Sequence, residues 1–395
     1  MHDGRPGPRP PRRVPAGAPP LTQLQPPVRR TPPPQRRPWL YGRFLAGLMA
    51  FLLVVAGGAT AGWFIRQDRT SIDSVKVLAA AGSSVVRVLS TACAGTREGT
   101  GVYVGDGLVL TADIAVREPL AAAVVTRDGV IRRANVLGTG PDGVAVLQVV
   151  GQLQVPALQI ATHEPDAEAG RALLGYTASG NLTGQTVGSI HRPRPLGEVM
   201  NAAKLGGPVF DKSNQVIGMV TGDSLAASRI VPAATLRPLA VRNAASVTPN
   251  SGGTCTESRG PQSAMTPVLQ VAATPLALQA QRTLTNYLTL QNRHDFAGVR
   301  KYYTPRLAKA LPMDTDRRAH LTTYFFGAVI TEITQSAGGV NVRINYVTLF
   351  SSDAHGAEGK NCNRLDQRYR LLPSGNALLV DGSSQVTSPV PCDSL

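Results

Sequence analysis

Apolar positions along the chain fall into three regimes with different periods. From Phe44 to Ile65 they form an uncharged run of 22 residues, FLAGLMAFLLVVAGGATAGWFI. At about 1.5 Å rise per residue, a helix of that length crosses the roughly 30 Å hydrocarbon core of a bilayer. Trp39, Tyr41 and Trp63 lie near its two ends, where aromatic belts form. From Val85 to about Ala240 the runs are short (VVRVL, GVYVG, GLVLT, AAAVVT, VAVLQV, VIGMVTG) and separated by Gly- and Asp-bearing turns. Many short strands at this spacing predict a barrel or sandwich. Residues 244–270 lack periodicity and read as a linker. Thr274-Pro275 then offers an N-cap followed by proline at the first helical position. Leu276, Ala280, Leu284, Tyr287 and Leu288 continue at helical spacing. After Tyr303 and a second short helix come strand-like runs, YFFGAVITEIT, GVNVRINYVTLF, LDQRYRLLP and ALLVDG, with Gly338-Gly339 as a hairpin turn. Helices followed by a curled antiparallel sheet predict an α+β domain.

The expected organisation is therefore a tail over 1–43, a transmembrane helix over 44–65 and a juxtamembrane linker over 66–79. An all-β domain over 80–243, a linker over 244–271 and an α+β domain over 272–395 follow.

Charge changes this picture only at the N-terminus. The formal net charge is +15, and residues 1–43 hold nine arginines against one acid, Asp3, so the tail alone supplies about +8. Its text, RPGPRPPRR to PPVRRTPPPQRRP, predicts disorder with polyproline II stretches. Arg36, Arg37 and Arg43 precede the apolar run, whereas Arg66, Asp68 and Arg69 after it nearly balance. The positive-inside rule places the tail in the cytoplasm and residues 66–395 outside, so the run is a signal-anchor and the bilayer is one partner. It is too long, and begins too far from the N-terminus, for a cleaved signal peptide. No dense basic stripe exists elsewhere, so nucleic acid is not an expected partner. Arginine outnumbers lysine, the usage of a GC-rich, actinobacteria-like genome.

The four cysteines, Cys93, Cys255, Cys362 and Cys392, are far apart with no C-x-x-C pair, which removes metal spacing. An even count in an exported chain predicts two disulfides. The expected pairs are Cys93 with Cys255, closing the ends of the all-β domain, and Cys362 with Cys392; four buried free thiols are the alternative. The six histidines form no ligand cluster, so neither metal nor cofactor is expected.

Three strings carry a family resemblance. GTGVYVGDGLVLTADIAV, PDGVAVLQV and KLGGPVFDKSNQVIGMV occur in the order and at the spacing of the sequence signatures of HtrA-type, trypsin-like serine proteases. Over roughly residues 80–242 the chain resembles that family, which implies an all-β double barrel. The resemblance also implies where a catalytic triad would stand, and there the sequence departs. The general-base histidine falls on Ile114, the orienting aspartate on Gly143 and the nucleophilic serine on Leu205. The glycine two residues before the nucleophile falls on Ala203. A triad needs a hydroxyl, a base to take its proton and a carboxylate to hold the base's tautomer; isoleucine, glycine and leucine supply none of these. Asp113 and Asp142 adjoin two of the positions, but a one-residue shift on an extended strand turns a side chain to the opposite face. Gly206, Gly207 and Pro208 read as fold residues that allow a sharp turn and close backbone approach.

Other strings weigh less. Gly222-Asp223-Ser224-Leu225 spells a lipase-like string, but lies in a loop, and Asp353-Ala354-His355 has the wrong spacing to complete it. His294 reads as a helix-end polar group, and Asn181-Leu182-Thr183 as an incidental sequon. Residues 272–395 resemble the cone-shaped α+β roll of nuclear-transport-factor-like domains through LTNYLTLQNRHDFAGVRKYYTPRL and the strands ending in LLVDG. That resemblance implies a pocket between helix and sheet, which Tyr302, Tyr303, Tyr324 and Phe325 could line if they are not simply core. The expected function is a membrane-tethered pseudoprotease that binds extracytoplasmic protein or peptide partners. The alternatives are an active serine endopeptidase and an envelope sensor working through the roll.

Overall fold

The computed structural model describes residues 47–55, 71–191, 194–201, 204–242, 246–250, 255, 265–336, 338–354 and 356–392. Residues 47–55 are helical (α1), inside the apolar run, with Leu48, Met49 and Phe51 exposed. The rest of the predicted span and the Arg/Pro tail lie outside the described residues. No helix among the described residues is long and apolar enough to cross a membrane.

The remainder forms one compact unit. It starts with helix α2 (Ser74–Ala81), inside the stretch expected to be linker, where the Asp73 side chain caps the amides of Val75 and Lys76. Six strands follow: β1 (Val85–Ala92), β2 (Gly95–Gly105), β3 (Leu108–Ala112), β4 (Pro119–Val125), β5 (Ile131–Thr139) and β6 (Val144–Val149). They run β5-β4-β1-β2-β3-β6, and β6 pairs back onto β5, which closes a barrel. Val86, Val88, Val109, Val124, Ala145 and Leu147 belong to one buried cluster of this barrel.

The second half holds β7 (Arg171–Tyr176), β8 (Leu182–Gly188), β9 (Pro208–Phe210), β10 (Val216–Thr221), β11 (Arg229–Pro232) and the helical turn α3 (Ala233–Leu236). Among the described residues these strands form a five-stranded sheet, β11-β10-β9-β7-β8, that does not close. The double-barrel expectation thus meets one closed barrel beside an open sheet. β11 turns directly into α3, and α2 lies so close over β8 that a Cβ on Gly184 would fall 2.6 Å from the Ser74 carbonyl oxygen. α2 thus packs on the core face of this sheet at β8. Val77 and Ala81 of α2 share a core with Val102 and Leu110 of the barrel and Leu174, Phe210 and Met219 of the sheet.

The stretch expected to be an unstructured linker contributes β12 (Thr248–Pro249), which pairs with β5, and β13 (Val268–Leu269). Helices α4 (Pro275–Asn292), α5 (Phe296–Val299), α6 (Pro305–Ala310) and α7 (Met313–His320) come next. Strands β14 (Tyr324–Ser336), β15 (Gly339–Leu349), β16 (Cys362–Ser374), β17 (Ala377–Gln385) and β18 (Val390–Pro391) complete the chain. The Thr274 hydroxyl caps α4 as expected, accepting from the Ala277 amide. Ala280, Leu284, Tyr287 and Leu288 are buried against the sheet β13-β14-β15-β16-β17. β14 and β15 form the predicted hairpin, closed at Ser336 opposite Gly339, with Gly338 at φ +82.

Both expected disulfides are present. Cys93 joins Cys255 with Cα atoms 5.9 Å apart, and Cys362 joins Cys392 at 5.5 Å. The barrel and the α+β region are also joined by a shared apolar cluster: Leu89, Ala121 and Ala123 meet Tyr324, Phe326, Val347, Leu349 and the Cys362–Cys392 pair.

Candidate functional site

Ile114 and Leu205, far apart in sequence, meet where the barrel faces the second sheet. Ile114 sits in a helical turn, Asp113–Ala115, that leaves β3, and packs with Leu205 in a cluster containing Ala112, Leu173, Val209 and Val220. The main chain around Leu205 is firmly tied. Its carbonyl accepts from the Thr100 amide at 2.8 Å, the Gly206 amide donates to Val220 at 2.7 Å, and the Gly207 amide donates to Lys204 at 2.9 Å. Gly206 has φ +86, and a Cβ there would lie 2.0 Å from the Thr100 carbonyl oxygen. At Gly207 a Cβ would lie 2.6 Å from the Leu174 carbonyl oxygen. Both glycines are therefore required for close approach, and Pro208 opens β9 opposite Met219. Ala203 lies outside the described residues. Lys204 is buried, its Nζ held by Gln185 Oε1 and the Val199 carbonyl, each at 2.7 Å, and burial lowers its pKa.

Gly143 ends the turn Pro141–Gly143 at φ +72. It does not line the cleft where Ile114 and Leu205 meet. The two neighbouring carboxylates are already engaged. Asp113 accepts from Arg117 at 2.6 and 2.8 Å and from the Thr139 hydroxyl at 2.9 Å, and Asp142 accepts from Arg229 at 3.2 Å. Arg117 also binds Asp223 at 2.6 Å; this hydrogen bond and the one to Asp113 hold the guanidinium above its usual range. Asp223 of the lipase-like string is thus half of an ion pair, and Ser224 accepts from the Ala227 amide within the same turn. His355 lies outside the described residues.

Above Ile114 and Leu205 opens a cleft of about 880 Å³ with the α+β region as its opposite wall. The barrel adds Arg87, Arg97 and Glu98, and the β7–β8 turn adds Ser179; the other wall is the 265–269 segment with Phe325–Ala328. Among the described residues, no histidine or aspartate lines it. Its one serine, Ser179, lies 2.8 Å from the Thr177 hydroxyl, and its one carboxylate, Glu98, is paired with Arg87 at 2.7 Å. Among the described lining residues, therefore, no serine is paired with a histidine or a carboxylate.

Of the aromatic residues considered for a pocket in the α+β region, Phe325 lines this cleft, while Tyr324 is wholly buried in the cluster shared with the barrel. Tyr303 belongs to an interior network that single-residue reading missed. Its hydroxyl donates to Asp316 at 2.7 Å, His320 lies 3.1 Å from the same carboxylate, and the Tyr346 and Tyr369 hydroxyls are 3.2 Å apart. His294 follows α4 at φ +52, stacked on Phe296 and Tyr324 with Nε2 3.2 Å from the Thr323 carbonyl, the helix-end position expected for it. No metal-ligand cluster occurs among the described residues.

Residues 99–219 match the trypsin-like peptidase domain family. Among solved structures, the chain is similar to the Rv3671c protease of M. tuberculosis in its active form, with 26% identity and a TM-score of 0.38. The alignment covers 45% of this chain and 88% of that one. It is also similar to the serine endoprotease of Yersinia pestis, at 18% identity and a TM-score of 0.36, covering 44% of this chain and 68% of that one. No curated protein matches. The chain thus carries a trypsin-like β-barrel domain, with HtrA-type proteases among its structural neighbours, followed by an α+β region.

Proposed function

We propose that this protein is a membrane-tethered pseudoprotease that binds protein or peptide partners in the cell envelope. On this reading Ile114, Gly143 and Leu205 occupy the histidine, aspartate and serine positions of a degenerate triad. One observation carries it: among the described residues, no histidine lines the cleft at Ile114 and Leu205, and its serine, Ser179, meets Thr177 rather than a base. A set of residues that cannot form, activate or orient a nucleophile leaves at most weak residual catalysis. The cleft nevertheless falls within the size range of ligand sites, so the scaffold keeps a place to bind. The apolar 44–65 run anchors the chain with residues 66–395 outside, an arrangement compatible with two disulfides. On the same reading the C-terminal region, with α4 packed on a mostly antiparallel sheet, is a nuclear-transport-factor-like roll.

A fluorophosphonate probe and a casein-cleavage assay on the full chain test this reading. Neither the native chain nor Leu205→Ser should be labelled or cleave, because a serine at 205 would still face Ile114. Labelling of the native chain, or inhibitor-sensitive proteolysis by L205S alone, would overturn it. External protease added to intact cells, in turn, should digest residues 66–395 and spare the tail.

A further inference from the structure

The cleft has two kinds of wall, and the second is not part of the trypsin-like domain. Residues 265–269 run along it, and within them β13 is the end strand of the C-terminal sheet, paired among the described residues with β14 alone, while the Met265 amide and the Pro267 carbonyl before it bond to Thr289 and Gln281 of α4. An end strand presents unpaired main-chain groups and is a template for another extended chain. Val268 is 55% exposed on it, although the whole segment lines a cleft. Alongside, the pairing of β14 with β15 is interrupted between Phe326 and Val329, with Gly327 at φ +57, so the peptide groups of this bulge also leave the ladder. Asn292 fixes the platform beneath by bonding both the amide and the carbonyl of Phe325, at 2.8 and 3.0 Å.

The charge on the barrel wall is one-sided. Glu98 is consumed by Arg87, whereas Arg97 is half-buried and donates to the Arg117 carbonyl, with no carboxylate in ion-pair range among the described residues. Burial, and after it the Arg117 charge, lowers the Arg97 pKa, against the smaller pull of the Glu118 and Asp113 carboxylates. Ile114 and Leu205 supply the apolar floor between Arg97 and β13.

We propose that this cleft takes an extended peptide segment that pairs with β13, sets an apolar side chain on Ile114 and Leu205, and places an adjacent carboxylate against Arg97. The proposal rests on the pseudoprotease reading and gives that scaffold a ligand class: acidic-apolar peptide sequences. An acyl amphiphile would satisfy the floor and the arginine but leave the strand edge and the bulge unpaired, so the main-chain groups favour a peptide.

The test uses the full chain in detergent micelles and fluorescein-labelled octapeptide pools with Leu-Asp fixed at the two central positions. Control pools carry Leu-Lys, or Leu-Asp with both flanking amides N-methylated. Fluorescence anisotropy should show the Leu-Asp pool binding at least about tenfold more tightly than either control, since each lost interaction of this kind is worth about that factor. Arg97→Glu should erase or invert the Asp-over-Lys preference, and Ile114→Glu should weaken all pools. Equal binding of the three pools by the native chain, which needs no variant to fold, would overturn the proposal. So would binding of dodecanoate that the Leu-Asp pool fails to displace. If the pools fail while the fluorophosphonate probe still does not label the chain, the cleft assignment falls and the inactive scaffold stands. If the probe labels the chain, the pseudoprotease reading falls whatever the pools do.

Discussion

Gly206 is the residue whose replacement should reveal most about the cleft's construction. Its φ of +86 is unfavourable for any side chain, and the Cβ would meet the Thr100 carbonyl oxygen at 2.0 Å and the Thr111 hydroxyl at 2.5 Å. Neither neighbour is a flexible side-chain end, since the Thr111 hydroxyl is buried and donates to that same carbonyl at 2.7 Å. Gly206→Ala should therefore cost more than about 2 kcal/mol of unfolding free energy, read as a lower midpoint in denaturant melts. Asp316 carries a different prediction. Burial pushes its carboxyl up, but hydrogen bonds from His320 and Tyr303 outweigh this and leave its pKa below the ordinary carboxylate value. A carboxyl lowered on folding adds stability above its unfolded pKa and loses it as pH falls through the folded one. Native stability should thus decline from about pH 4 downward, and Asp316→Asn should be less stable at neutral pH yet lose less on acidification. Thermal melts at neutral pH and in that acid window check both. Glycine spacing made the turn at 206–207 legible in sequence. The Asp316 network was not, because Tyr303 lies outside α7, which carries Asp316 and His320, and the three follow no motif.

The elements themselves were mostly legible, since strand alternation and the Thr274-Pro275 cap are local signals that the fold does not override. α2 was missed because VKVLAAA follows an apolar run and looks like its tail, although Asp73 supplies an N-cap. That cap makes the helix testable. The Asp73 carboxylate accepts from Val75 at 2.9 Å and Lys76 at 3.3 Å, and losing such a cap costs about 1 kcal/mol. Asp73→Ala should lower stability by that amount, while Asp73→Asn or Asp73→Ser, which keep the acceptor, should recover most of it. Because α2 packs on β8, hydrogen exchange in Leu182–Gly188 should rise in the alanine variant. A loss confined to α2 would mean that β8 is protected without it.

At the scale of the whole molecule, the surface joining barrel and α+β region could not be read as a period along one strand. Its signal was indirect: Ala121-Ala122-Ala123 is apolar on both faces of β4, and all three are buried. A strand with solvent on one side alternates, whereas one covered on both sides does not. The second cover is the C-terminal sheet, through Tyr324, Phe326, Val347 and Leu349. With Cys362 and Cys392 in the same cluster, a disulfide that closes a loop across a sequence separation of 30 residues also stiffens this interface. The barrel and the α+β region should therefore unfold together rather than as independent domains. In calorimetry residues 71–392 should give one transition, and Phe326→Ala should lower the whole of it, since truncating a buried phenylalanine costs about 3–5 kcal/mol. Two transitions, with only one displaced by F326A, would show instead that the two halves merely touch. A rigid joint also matters for binding, because the cleft over Ile114 and Leu205 has one wall on each half. Its width is constant only if they move as one, so Val347→Ala, in the shared cluster but outside the cleft lining, should also weaken peptide binding.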